Sequence, residues 1–258
     1  NAATLVAAVR GAAEAGAAML FTPEMSGMLD RDRGRALDKG RLEADDEVLF
    51  AVLAAAAEAR IWVHLGSLAL KGEGDKLVNR GFVIDDSGEV RARYDKIHLF
   101  DVDLPTGESW RESVMYEAGR EGVIVPDTPL GRLGLTICYD LRFPELFQRL
   151  SDAGAEVIAV PAAFTVPTGR AHWQVLLRAR AIEAELFVVA AAQAGHHEDG
   201  RDTYGHSLVA DPWGELLLEM GGEPGLGFAE VDLDRIADVR ARIPVHQHRR
   251  AIGAVSPR

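Results

Sequence analysis

Short apolar runs alternate with helix-forming stretches along the whole chain, and that alternation is the strongest constraint on its fold. Residues 17–21, 61–70, 79–84, 90–94, 133–137, 157–160 and 187–192 read as strands, because they are brief, apolar and bounded by turn-forming residues. Between them, residues 1–11, 45–60, 143–153 and 172–185 are predicted helices, with Asn1 a candidate N-cap. The second of these carries Val48, Leu49, Val52, Leu53 and Ala56 at helical spacing. Residues 32–40 are polar and read as loop or a marginal helix. Two hairpins are expected, turning at Asp85-Asp86-Ser87-Gly88 and at Asp211-Pro212-Trp213-Gly214, the second joining 205–210 to 215–219. A last strand at 227–231 and a helix from Asp232 complete the pattern, and the tail from His246 to Arg258 has no periodicity. Strands alternating with helices imply an α/β domain with a mixed sheet. With no linker-like break, repeat or low-complexity tract, one domain spans 1–258, of which 243–258 is a tail. The stretch 100–122, broken by Pro105, Gly107 and Gly119, reads as surface loop with one helical turn; a loop this long is commonly functional.

Three reactive residues share a placement at strand ends. Glu24 follows the strand ending at Phe21, Lys96 follows the one ending at Tyr94, and Cys138 follows the one ending at Ile137. Open α/β sheets bind ligands beyond the carboxyl ends of their strands, so the three could converge. A carboxylate can take the proton of a thiol, and an ammonium can stabilise the oxygen that turns negative when sulfur attacks a carbonyl carbon. Pro144 and Glu145 suit the first turn of a helix just beyond the cysteine, and a helix N-terminus together with exposure at the sheet edge would favour the thiolate. The plain alternatives are a buried structural cysteine and two solvated charges.

Charge and cysteine content narrow the partners. With 28 basic against 40 acidic residues the formal net charge is −12, which argues against a nucleic-acid or anionic-membrane surface. No apolar run is long enough to span a bilayer, and a single cysteine excludes an intrachain disulfide, so a free thiol in the cytoplasm is expected. His196 and His197, beside Glu198 and Asp199, read as a loop; His246 and His248 lack ligand partners at metal spacing, so no metal is expected.

Phe21-Thr22-Pro23-Glu24, Tyr94-Asp95-Lys96-Ile97-His98-Leu99-Phe100 and Cys138-Tyr139-Asp140-Leu141-Arg142-Phe143-Pro144-Glu145 resemble the three catalytic boxes of the nitrilase, or carbon–nitrogen hydrolase, superfamily, in its order and at its approximate separations. The likeness continues through 161–165, 168–173, 178–183 and 205–214. This resemblance implies an αββα four-layer sandwich, dimerised through helices, with no cofactor and a small-molecule amide as substrate. It implies Glu24 as general base, Cys138 as the nucleophile of a thioester and Lys96 as holder of the oxyanion. Glu112, in Arg111-Glu112-Ser113, matches a second, orienting glutamate, against the reading of a solvated loop acid. Residues 100–105, 188–197 and 243–250 resemble the Nit branch, whose substrates carry an α-keto carboxylate beside the amide. Such substrates need a cation and a hydroxyl. Arg142 and Thr168 are the candidates, with Tyr139 and Phe164 lining the pocket; Arg142 could instead be tied to Asp140 or Glu145. Family members begin with a strand ahead of the helix at Asn1, and here that first strand is missing, which would leave a sheet edge open.

Overall fold

The structure, a computed structural model, describes residues 1–104, 107 and 109–254. The loop expected at 105, 106 and 108 and the tail expected at 255–258 lie outside the described residues. In chain order the elements are α1 (Ala2–Glu14), β1 (Met19–Phe21), α2 (Arg33–Lys39), α3 (Glu47–Ala59), β2 (Trp62–Lys71), β3 (Leu77–Ile84), β4 (Val90–Asp95), β5 (Asp101–Asp103), β6 (Ser109–Arg111), α4 (Glu112–Met115), β7 (Tyr116–Glu117), β8 (Val123–Thr128) and β9 (Gly131–Leu135). They continue as α5 (Pro144–Asp152), β10 (Val157–Ala159), α6 (Val166–Ala184), β11 (Phe187–Ala190), β12 (Ala194–His196), β13 (Asp202–Tyr204), β14 (Leu208–Ala210), β15 (Leu216–Glu219), α7 (Asp234–Arg242) and α8 (Val245–His248).

Two sheets carry the architecture. The first runs β1-β2-β3-β4, with β7 beside β3; the second runs β15-β14-β11-β10-β9-β8. At the centre of the second, β9, β10 and β11 are parallel, and their Leu133, Leu135, Val157, Ile158, Phe187 and Val188 are buried, as parallel strands covered on both faces must be. Leu5 and Val9 of α1 and Leu49, Val52 and Ala56 of α3 close one core over Val63, Leu65 and Phe82 of the first sheet. Phe147 and Leu150 of α5 and Trp173 and Leu177 of α6 belong to a second core on the other sheet, which Val83 and Tyr94 of the first sheet also enter. The two sheets therefore face each other between helical layers, an α/β fold in αββα order.

Several expectations change on folding. Residues 227–231 are not a strand, because no strand among the described residues pairs with them; the sheet ends at β15, which pairs with β14, and β14 pairs with β11. Asn1 stands at the N-cap of α1 but makes no capping bond, its Nδ2 donating to the Gly27 carbonyl at 2.8 Å. Helix α6 starts at Val166 rather than His172, since Pro167 sits in its first turn, where no amide donor is required. Residues 32–40 do form a helix, α2, with Asp32 accepting from the Arg35 amide at 2.8 Å. The described residues of 100–122 include the antiparallel pair β5 and β6, the single helical turn α4 and the short β7.

His64, the third residue of β2, is 1% exposed, and its Nδ1 has no hydrogen-bond partner among the described residues. Burial alone lowers its pKa to about 3, so the folded protein holds the ring neutral. That contribution is complete above the unfolded value near 6.5 and is lost as pH falls towards 3, at about 1.4 kcal/mol per unit. Denaturant titrations between pH 7 and 4 should therefore show a steeper acid loss for the wild type than for His64→Leu. Parallel curves would mean that protonation of this ring is not what acid exploits.

Candidate active site

Glu24 rides on a turn just past β1 that is locked from several sides. The Thr22 amide donates to His64 O at 3.0 Å, the Met25 amide to Ser67 Oγ at 2.9 Å and the Ser26 amide to Ser67 O at 2.9 Å. Thr22 Oγ1 in turn accepts from the Gly66 amide at 3.0 Å. Position 66 has to be glycine: a Cβ there would collide with the carbonyls of Thr22 and Pro23 and with the ring of Pro161. Since the Cys138 amide donates to Pro161 O at 2.9 Å, this one residue marks where the Glu24 turn meets the cysteine loop.

Lys96 follows β4, its amide donating to Asn79 O at 3.0 Å. Its side chain is 2% exposed, and Nζ donates to Glu24 Oε1 at 2.9 Å and to Glu112 Oε1 and Oε2 at 3.0 and 2.9 Å. Burial would lower the lysine pKa, but Glu112, Glu24 and Cys138 reverse this and hold it well above its ordinary value. Asn79 Nδ2 donates to Glu24 Oε1 at 2.8 Å, and the Phe100 amide to Glu112 Oε2 at 2.6 Å. Glu112, the first residue of α4, is thus a bonded, mostly buried carboxylate and not a solvated loop acid.

Cys138 lies beyond β9 in left-handed backbone, with φ of 49°. The loop is pinned by Asp140, which is fully buried and accepts from the Ile137 amide at 2.8 Å, Tyr94 Oη at 2.7 Å and the His98 amide at 3.0 Å. The thiol is buried rather than exposed at the sheet edge, and its pKa is raised well above the usual thiol value. Burial is the main cause and the Glu24 charge the next, with Lys96 opposing them. This corrects the expectation of a favoured resting thiolate: the helix beyond Pro144 does not outweigh a dry site holding a carboxylate. A thiol in this state is a nucleophile only as its proton leaves, and a carboxylate to receive it is at hand.

A cavity of about 450 Å³ joins the parts, and Glu24, Lys96, Glu112 and Cys138 all line it. So do Tyr139, Phe164 and Thr168, although Thr168 Oγ1 already bonds Thr165 Oγ1 at 2.8 Å. Arg142 is not among the lining residues. Its guanidinium lies 5.9 Å from the Tyr139 ring centroid and 5.7 Å from that of Phe164, with Nη2 3.3 Å from His172 Nδ1. It is tied to neither Asp140 nor Glu145: Asp140 is filled as above, and Glu145 accepts from Arg149 at 2.6 Å. Two contributors escaped sequence reasoning. Asn79 has no signal in the sequence beyond its place at the head of a predicted strand, whereas Asp140 lies inside the cysteine box, where the sequence offers it only as a partner for Arg142.

Comparison with known proteins places the chain in a family. The family model described as carbon-nitrogen hydrolase matches residues 1–241. The chain is 42% identical over 235 residues to the nitrilase and fragile histidine triad fusion protein NitFhit of Caenorhabditis elegans, covering 90% of this chain and 53% of that protein. It is 41% identical over 248 residues to deaminated glutathione amidase of Mus musculus, covering 94% and 76%. The crystal structure of NitFhit superposes with a TM-score of 0.87 at 41% identity, over 94% of this chain and 59% of that one. A mutant of the amidase from Nesterenkonia sp. AN1, with acrylamide added to its active site cysteine, superposes with a TM-score of 0.75 at 27% identity, over 94% and 91%. This chain thus spans about half of the fusion protein and most of the free-standing amidases. The chain belongs to the carbon-nitrogen hydrolase family, within the nitrilase superfamily.

Proposed function

We propose that this protein hydrolyses a small carboxylate-bearing amide, with deaminated glutathione as the leading substrate. The observation that carries the reading is the meeting of Glu24, Lys96 and Glu112 around one buried ammonium, on the wall of the cavity that also holds the Cys138 thiol. Relatives named deaminated glutathione amidase, at 41–44% identity, favour that substrate over other amides. In the first step the Cys138 sulfur bonds to the amide carbon as Glu24 takes the thiol proton. The carbonyl oxygen becomes negative beside Lys96, which is charged at any physiological pH. The C–N bond then breaks, and Glu24 returns the proton to the departing amine, here cysteinylglycine. In the second step Glu24 draws a proton from water as the water oxygen bonds to the thioester carbon; the C–S bond then breaks, the proton passes from Glu24 back to the Cys138 sulfur, and the acid leaves. Glu112 holds Lys96 in place, its own carboxylate fixed by the Phe100 amide.

The acyl end of the substrate is assigned to Thr168 and the rings of Tyr139 and Phe164 on the cavity wall, with the charge of Arg142 beside those two rings rather than on the wall. No metal or cofactor enters the scheme. No helix of the described residues is long and apolar enough to cross a membrane, and a working free thiol suits the cytoplasm. Val175 and Ile182, two turns apart on α6, are exposed at 65% and 48%, which supports a homodimer packed through this helix.

A turnover panel tests the reading. Deaminated glutathione should exceed α-ketoglutaramate, an N-carbamoyl amino acid and an aliphatic nitrile by at least about tenfold in kcat/KM. Rapid-quench intact mass should show the acyl adduct on the protein during turnover. Preference for α-ketoglutaramate would make it an ω-amidase. An unmodified protein that turns over none of the four would instead point to a catalytically idle binding protein.

A further inference from the structure

Three aromatic rings, Trp110, Phe100 and Tyr139, line the cavity, with Arg201 on the wall beyond Trp110 and Arg142, off the cavity, beyond Tyr139. Trp110 and Phe100 have centroids 6.4 Å apart, and Phe100 and Tyr139 5.1 Å apart. Arg142 lies by the Tyr139 ring, and Tyr139 directly follows the nucleophile in sequence. At the opposite end the Arg201 guanidinium sits 4.8 Å from the Trp110 ring centroid and lines the cavity.

Arg201 differs from the other cations there in being both held and unspent. Lys96 is saturated by its two carboxylates, and Arg111 is paired with both oxygens of Asp103 at 2.9 Å. Arg31 and Arg33 stand exposed. The Arg201 side chain is 16% exposed, and its Nε donates to Asp199 Oδ2 at 2.7 Å. Asp199 is itself 2% exposed and also accepts from the amides of Arg201 and Arg31, at 3.1 and 2.9 Å. These bonds fix the guanidinium through its Nε edge. Its two terminal nitrogens make no hydrogen bond among the described residues, which leaves the pair that suits a carboxylate. The hydroxyl of Tyr116 feels the charges of Glu112, Glu24 and Lys96 together with that of Arg201, so this guanidinium belongs to the same field as the reactive cluster.

We propose that Arg201 receives a carboxylate on the leaving-amine side of the scissile bond, so that the site selects amides with an acidic group at each end. The inference rests on the amidase reading above, in which the acyl end points towards Arg142. A leaving group of two residues places its terminal carboxylate about 7 Å from the scissile nitrogen when extended. Arg201 lines the same cavity as Cys138, so a carboxylate carried on the leaving group has a cation within that cavity to meet. A primary amide such as α-ketoglutaramate has no group to put there. Asp199 is the positioning residue: it orients Arg201 and partly offsets its charge without touching the substrate.

The test uses three substrates: deaminated glutathione, the same molecule with its glycine carboxylate amidated, and α-ketoglutaramate. For Arg201→Gln, KM for deaminated glutathione should rise about 10- to 100-fold with kcat nearly constant, the signature of lost uniform binding. The shift for α-ketoglutaramate should be no more than about twofold, within the scatter expected of an uncoupled site. Wild-type protein should show the raised KM with the amidated substrate, and the variant should add little to it, since arginine and carboxylate form one coupled pair. Arg201→Lys should recover part of the loss. Equal KM values for acid and amidated substrate on the wild type overturn the proposal without any variant having to fold. Equal losses on deaminated glutathione and α-ketoglutaramate in Arg201→Gln overturn it as well, and leave the amidase reading standing. A wild type inert towards both acids takes down that reading, and the inference with it.

Discussion

Cys138→Ala is expected to lower turnover by about 10⁴- to 10⁶-fold, the range seen when a covalent nucleophile is removed, with the melting transition nearly unmoved. Glu24→Gln should be comparably inactive, but the two variants part in what becomes of the sulfur. In the wild type the thiol is pushed up by burial and then by the Glu24 charge and hydrogen bond. Neutralising position 24 removes the second influence and keeps the first, so the thiolate becomes easier to form just as the base that would use it is lost. Iodoacetamide should therefore alkylate Glu24→Gln several-fold faster than wild type at pH 8, where a lowered thiol pKa raises the thiolate fraction. Slower alkylation, or retained turnover, would show that Glu24 is not the group controlling this proton.

Lys96→Met carries the second large effect. The ammonium is buried between two carboxylates whose side chains are 5% and 12% exposed, and methionine keeps the stem while deleting the charge. Breaking a buried ion cluster by removing one member costs about 3–5 kcal/mol, because the partners stay desolvated without compensation. The denaturant midpoint should fall accordingly, and Lys96→Met with Glu112→Gln should recover part of the loss by removing one stranded charge. Turnover should drop by at least about 100-fold, the scale for losing one oxyanion stabiliser. Because Lys96 lowers the thiol pKa, alkylation of Cys138 should slow, opposite to Glu24→Gln. Full stability in Lys96→Met would mean that the two glutamates do not depend on it.

How far the site could be read from the chain varies by residue. Glu24, Lys96 and Cys138 were legible because each pairs a reactive side chain with the end of an apolar run, and because each sits in a segment resembling a known box. Glu112 was legible only through such a segment, since an acid in an irregular stretch has no periodicity to place it. Asn79 and Asp140 are ordinary polar residues locally; their importance arises where a Glu24 oxygen and the Ile137 amide come within bonding distance. The resting state of Cys138 was misread for a related reason. Neighbouring residues in the chain indicate a helix dipole, but burial is set by the opposite sheet.

Local pattern therefore determined the elements: which stretches pleat, which coil, and which reactive groups fall at strand ends. Periodicity and turn chemistry act over a few residues, so a linear reading reaches them. Tertiary structure alone decided that residues 227–231 stay unpaired, that one lysine serves two glutamates, that Arg142 stands off the cavity, and that Arg201 lies along its wall. Those outcomes depend on which surfaces exclude water together. The exclusion is shared by segments as far apart as Glu24 and Gln193, whose side-chain amide donates to the Glu24 carbonyl at 3.0 Å, and no window of sequence contains both.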